Sequence, residues 1–222
     1  MGREDELLDR NPTTRLERIK KPQRLMVTLS GEEYRRMLAA ARKSPFRDRE
    51  TAIVVTLSDT GLRLAEVASL TMDDVRFTDG LIQVIGEGNK ERVVPLGQMA
   101  SEALDRYIRK SRKPRHAFTQ HVFLGRVGTP LTRSGVSQVL ADLVEQAKVP
   151  RAHAAPHAFR RAFAMNYLRN GSDVFSFQHV MGHSNLDMTR RCVNLLPEDL
   201  TRVHTQVSPA DRMDAARAGG HR

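Results

Sequence analysis

The chain has no tryptophan, and aromatic residues make up only 5% of its 222 positions. A platform that stacks single-stranded bases on aromatic rings is therefore disfavoured. There is one cysteine, Cys192. It cannot close an internal disulfide, which fits a reducing cytoplasm. No apolar run approaches the ~20 residues that a membrane-spanning helix needs. The opening stretch MGREDELLDRNP has no apolar core and does not read as a secretory signal. His116, His121, His153, His157, His179 and His183 are scattered, without H-E-x-x-H or paired-cysteine spacing. A metal centre is thus not indicated.

What the chain does have is positive charge. Thirty-six Lys and Arg stand against 26 Asp and Glu, a net charge of +10. Arginine dominates, and its planar fork forms paired hydrogen bonds to phosphate. Charge alone fits a nucleic-acid partner and a basic solvated surface equally well.

The pattern along the chain predicts a mostly α domain with one small three-stranded antiparallel sheet. Residues 1–24 are charged and carry Pro12 and Pro22, so they read as a linker. Ser30 and Glu33 fit a capping box at the start of the first helix. Ile53, Val54 and Leu57 mark a helix over about 48–60, with Gly61 as its stop. A short helix over 64–70 follows. Strands are expected at Val75–Phe77, Leu81–Ile85 and Arg92–Leu96, turning at Asp79-Gly80 and Glu87–Asn89. Further helices are expected over about 98–111, 133–147, 156–170, 173–181 and 187–195. Pro156 suits a first helical turn and Gly171 a stop. Residues 197–215 are weakly amphipathic, and 216–222 read as a disordered tail.

Three stretches carry candidate chemistry. In TGLRLAEVASL, Arg63 follows the glycine stop, and Glu66 lies three residues on, where it can pair with it. In PHAFRRAFAMNYLRNG, His157 and Arg160 share a helix face near an N-terminus, a suitable place for an oxyanion. Phe159 and Phe163 take an adjacent face and read as core. In MGHSNLDMTRRCVN, Gly182 ends one helix, His183 sits in the turn, and Asp187 is placed to cap the next helix. Each stretch taken singly also fits a plain surface helix, ion pair or turn.

Their order is more specific. TGLRLAEVASLT, VIGEGNKERVVPL, HAFRRAFA and MGHSNLDMT follow one another between residues 60 and 189. This series resembles the catalytic domain of the tyrosine recombinases, the phage-integrase and Xer-type site-specific recombinases. The likeness runs from about residue 25 onward. It implies a catalytic domain over 25–215, including a docking segment over 197–215. NPTTRLERIKKP resembles the linker to that family's N-terminal DNA-clamping domain, which is expected to be missing.

The resemblance also implies a reaction. A tyrosine attacks a DNA phosphodiester, forms a 3′-phosphotyrosyl link and frees a 5′-hydroxyl. No cofactor, metal or nucleotide is used. By the motif match, Arg63, His157 and Arg160 hold the non-bridging oxygens, and His183 is the second histidine on the phosphate. Fixed cationic donors suit a phosphoryl centre, which gathers negative charge on its oxygens in the transition state. Arg161 is about 100° round the helix from Arg160 and is read as a DNA-backbone or packing residue. Arg190 and Arg191 are read as DNA contacts. The implied partners are a duplex recombination site and further recombinase protomers, a tetramer on DNA and a monomer alone. Leu200, Val203 and Val207 form either a face for a neighbouring protomer or one packed on their own domain.

Two positions depart from the family pattern. The nucleophilic tyrosine belongs nine residues after the second histidine, and here that residue is Cys192. A phenol oxygen stands about 6.5 Å from its Cα and a thiol sulfur about 3 Å, by addition of bond lengths. In-line attack needs reacting atoms within about 3–3.5 Å, so from an unmoved helix the thiol falls short. Neighbouring arginines favour its thiolate but do not extend its reach. Second, the family's GKG lysine, which protonates the leaving oxygen, is replaced by Glu87 in Gly86-Glu87-Gly88. A carboxylate there repels phosphate by about 1–4 kcal/mol at ~4 Å. Lys90, three residues on, is either its substitute or a lysine on DNA backbone or in solvent. Of the other possible nucleophiles, Tyr34 and Tyr107 lie outside the motifs, and Tyr167 is about 80° off the His157 face.

The expected function is therefore a site-specific recombinase domain, impaired as written. The competing reading is a DNA-binding relative that does not cut and regulates or partners an active recombinase. Inactivating substitutions or natural degeneration account for both departures, and a cysteine introduced as a chemical handle for trapping accounts for Cys192.

Overall fold

The computed structural model describes residues 28–86, 91–182, 204–205 and 208. Its helices are α1 (Gly31–Lys43), α2 (Arg47–Thr60), α3 (Leu64–Ser69), α4 (Gln98–Arg106), α5 (Arg133–Gln146), α6 (Pro156–Arg169) and α7 (Val174–Met181). Strands β1 (Val75–Arg76), β2 (Leu81–Ile85) and β3 (Glu91–Pro95) form one antiparallel sheet in the order β1-β2-β3. Helix α2 is the hub. Its Ala52, Ile53, Val54, Val55 and Leu57 are all buried, and α1, α4 and α6 pack against it.

Local chemistry sets the ends of the elements. The Ser30 amide donates to the Glu33 carboxylate at 2.8 Å, and the Glu33 amide donates to the Ser30 hydroxyl at 3.3 Å. That is the expected capping box. At the far end of α2, Gly61 takes a left-handed φ of 61° and its amide closes on the Leu57 carbonyl. The sheet keeps the expected strands with small shifts. β1 ends at Arg76, and β3 runs one residue earlier than the pattern suggested. The expected helix over 98–111 is α-helical only to Arg106. It then widens into a π-helical turn, Tyr107–Ser111. Tertiary bonds fix that turn, because the Tyr107 hydroxyl accepts from the Leu124 amide at 3.1 Å.

Gly61 is also a packing requirement. A Cβ built there would lie 2.4 Å from the Phe163 ring on α6. Gly61→Ala combines a left-handed backbone penalty with overpacking, and we expect a loss of about 2–4 kcal/mol in unfolding free energy. Urea titration checks this. The same contact lets α6 lie directly against the turn that leads to Arg63.

Candidate active site

Arg63 is the first residue before α3, and its backbone is extended there. An arginine has no side-chain oxygen with which to cap a helix. Glu66 supplies the bond instead, accepting from the Arg63 amide at 2.7 Å. The Arg63 guanidinium also reaches Glu66, at 3.3 Å, and keeps about a quarter of its side chain exposed. The expected pairing of these two residues therefore exists, but it is not a plain surface pair.

Glu66 is 7% exposed, and its main partner is one the sequence reading missed. Arg92 on β3 donates to both carboxylate oxygens at 2.9 Å, and is itself 7% exposed. Its Nε donates to the Val180 carbonyl at 2.9 Å, near the end of α7. Arg92 also packs on Gly182, whose φ is 61° and whose added Cβ would meet the guanidinium arm at 3.0 Å. One side chain thus ties β3, α3 and the end of α7 together. A signal was present in the sequence. Period-two alternation puts Arg92 on the inward face with Val94, and a buried arginine demands a carboxylate.

This network sets the titration of Glu66. Burial pushes its pKa up, but hydrogen bonds from Arg92 and the Arg63 amide, with the charges of both arginines, outweigh that and hold it below the ordinary value of 4.5. A depressed carboxylate contributes stability that is complete above its unfolded pKa and is lost as pH falls through the folded one. Denaturation midpoints should hold from neutrality to about pH 5 and fall progressively below the unfolded carboxylate value, near 4.3. In Glu66→Gln this part of the acid dependence disappears.

Helix α6 brings the second pair. Pro156 occupies its first turn, and Phe159 and Phe163 are buried, as expected. His157 is exposed and Arg160 half-buried. The Ala158 and Phe159 amides both reach the Ala155 carbonyl. Among the described residues, two carbonyls hold Arg160. It donates to the Gly61 carbonyl at 2.6 Å and to the Met181 carbonyl. Gly61 lies two residues before Arg63, and Met181 two residues before His183. Arg160 therefore bridges the chain segments that enter the first and third motifs. Arg161 is half-buried on the adjoining face.

Glu87, Lys90, His183, Arg190, Arg191 and Cys192 lie outside the described residues, as do Leu200, Val203 and Val207. The other tyrosines have structural places. Tyr107 is buried and stacked on Phe123. Tyr167 lies between Phe163, at 5.1 Å, and Phe177, at 6.3 Å, between ring centroids. Among the described residues, no three His, Cys, Asp or Glu side chains group as metal ligands, and no helix is long and apolar enough to cross a membrane.

The model of the phage integrase family matches residues 28–198, which spans all three motifs and the sheet. This chain belongs to that family, the tyrosine recombinases. The recombinase is 31% identical to tyrosine recombinase XerD of Halalkalibacterium halodurans over 211 residues, covering 92% of this chain and 69% of the relative. It is 36% identical to tyrosine recombinase XerC of Lacticaseibacillus casei over 154 residues, covering 68% and 51%. Among solved structures it resembles XerA recombinase, with a TM-score of 0.71 and 28% identity, covering 85% of this chain and 67% of that one. The Tn1549 transposon integrase in complex with a circular intermediate DNA shares the fold, with a TM-score of 0.68 at 23% identity, over 89% and 70% of the two chains. Members of this family are DNA strand-transferring enzymes.

Proposed function

We propose that this recombinase binds a duplex recombination site and holds the linkage to be exchanged in a cradle of Arg63, His157 and Arg160, with His183 as a fourth donor. The observation that carries this reading is the double tether of Arg160. Its guanidinium is fixed by the Gly61 and Met181 carbonyls and pays no ordering cost when phosphate arrives. Arg63 is oriented in the same way by Glu66, which Arg92 in turn holds. Preorganised cations of this kind stabilise charge that develops on phosphoryl oxygens.

In the family reaction, the nucleophile's oxygen forms a bond to phosphorus as the bond to the 5′-oxygen breaks. The leaving oxygen takes a proton, and the 3′-phosphoryl end stays on the protein. Reversal on a new 5′-hydroxyl restores DNA without loss of bond energy. Cys192 stands at the nucleophile's position with too short a reach, and Glu87 at the proton donor's, with Lys90 as the available substitute. We therefore read the chain as binding-competent and impaired in cleavage, acting as a tetramer on DNA and as a monomer alone. The two replacements also favour a second reading, a relative that binds without cutting and partners an active recombinase.

Duplex binding is the first test. A randomised duplex pool should yield an enriched sequence, and affinity for it should fall steeply with salt as counterions are released. Binding indifferent to salt, or no sequence enrichment, contradicts the proposal.

A further inference from the structure

A second concentration of positive charge lies at the opposite end of α2 from Arg63. Helix α2 has 14 residues, so at 1.5 Å per residue the two ends are roughly 20 Å apart. There a cavity of about 360 Å³ opens between the first turn of α2, the π-helical turn after α4 and the loop at Leu124–Arg126. Arg47, Arg49, Lys110, Lys113 and Arg126 line it, against one carboxylate, Asp48. That carboxylate is already engaged by the Ser111 hydroxyl.

The cavity has built features as well as charge. Arg49 is 6% exposed. Its Nη1 donates to the Leu124 carbonyl at 3.1 Å and its Nη2 to Glu50 at 3.2 Å. The Phe46 ring holds Arg49 at 4.4 Å and Arg126 at 5.4 Å from its centroid, a second device that keeps two guanidinium groups beside the cavity. Phe46 also precedes α2 without a side-chain cap, and the first turn of this roughly four-turn helix lines the same space.

We propose that this cavity is an oxyanion site that takes a phosphate group, either a DNA phosphodiester away from the reacting linkage or the phosphate of a soluble polyphosphate. Arg126 and Lys113 close on it from the rim, and the fixed Arg49 guanidinium forms the floor. The site needs no cleavage chemistry and stands independently of the strand-exchange reading.

Calorimetric titration of the full chain with pyrophosphate, in chloride buffer of low ionic strength, tests it. A saturable site is expected, and it persists in Arg63→Ala. Combining Lys113→Ala with Arg126→Ala weakens it at least tenfold and leaves the melting temperature of the unliganded protein unchanged, because both side chains are exposed. Salt titration of duplex binding separates the two sources. If a DNA phosphate sits here, the slope of log affinity against log salt becomes shallower by about one to two in the double variant. An unchanged slope with lost pyrophosphate binding assigns the site to a soluble polyphosphate. Pyrophosphate binding that survives the double variant, or that disappears with Arg63→Ala, overturns the proposal. So does the absence of pyrophosphate binding together with an unchanged slope.

Discussion

Arg92→Met is expected to lower the unfolding free energy by about 3–5 kcal/mol, the cost of leaving a buried charge without its partner. The substitution removes both bonds to Glu66 and the bond to the Val180 carbonyl. Glu66 keeps only the Arg63 amide and a looser contact with its guanidinium. Glu66→Gln is expected to cost less, because a neutral amide oxygen still accepts from the Arg63 amide. The two losses do not add, because both remove one interaction, and a double variant should be more stable than their sum predicts. Chemical denaturation of the four chains measures this. Additive losses would mean that the pair is not coupled and that Arg92 acts through packing alone.

The same network explains which parts of the molecule were legible in the sequence. Signals that act within a few residues were readable. Ser30 and Glu33 form their box, Gly61 ends α2, Pro156 opens α6, and Phe159 and Phe163 point inward. The sheet was readable because the alternation of its strands and the Asp79-Gly80 turn agree. Features decided by distant partners were not. The π-helical turn continues the periodic pattern of α4, and its Tyr107 hydroxyl accepts from an amide in a loop 17 residues on. The stretch after it has neither helical nor strand periodicity, and is fixed by isolated bridges from Thr71 to His121 and from Leu124 to Pro130.

In the site, the motifs supplied the candidate residues and the structure supplied their supports. Sequence spacing put His157 and Arg160 on one face. It gave no sign that Arg160 spans from Gly61 to Met181, since those contacts cross 99 and 21 residues. Glu66 was recognised only as a neighbour of Arg63. Its burial and its grip on Arg92 depend on β3 folding back against α3 and α7. The buried arginines Arg49 and Arg92 escaped notice for a common reason: composition reads arginine as surface charge, and only the fold reveals the carboxylate and carbonyl that make its burial tolerable.

The second large effect concerns the cradle. In a chain carrying Cys192→Tyr, a further Arg160→Ala substitution is expected to reduce formation of a covalent protein–DNA adduct by a factor on the order of 10²–10³, the usual loss for one preorganised donor. Duplex affinity should change little, because one phosphate contact among many is removed. Stability should also fall, since the Gly61 and Met181 carbonyls lose a donor, so adduct formation is compared at a temperature where both chains are folded. Equal losses in binding and in adduct would place Arg160 in general DNA affinity rather than in the reaction.

The most direct measurement of the central claim uses the enriched duplex, nicked beside the linkage to be cut so that the product strand diffuses away. Cys192→Tyr is incubated with it in the presence of a chelator and analysed by denaturing electrophoresis. The account predicts a covalent adduct bearing a 3′-phosphoryl end at position 192, and little or none with the unaltered chain. Tight, sequence-specific binding by the Cys192→Tyr chain with no adduct at any time would contradict it.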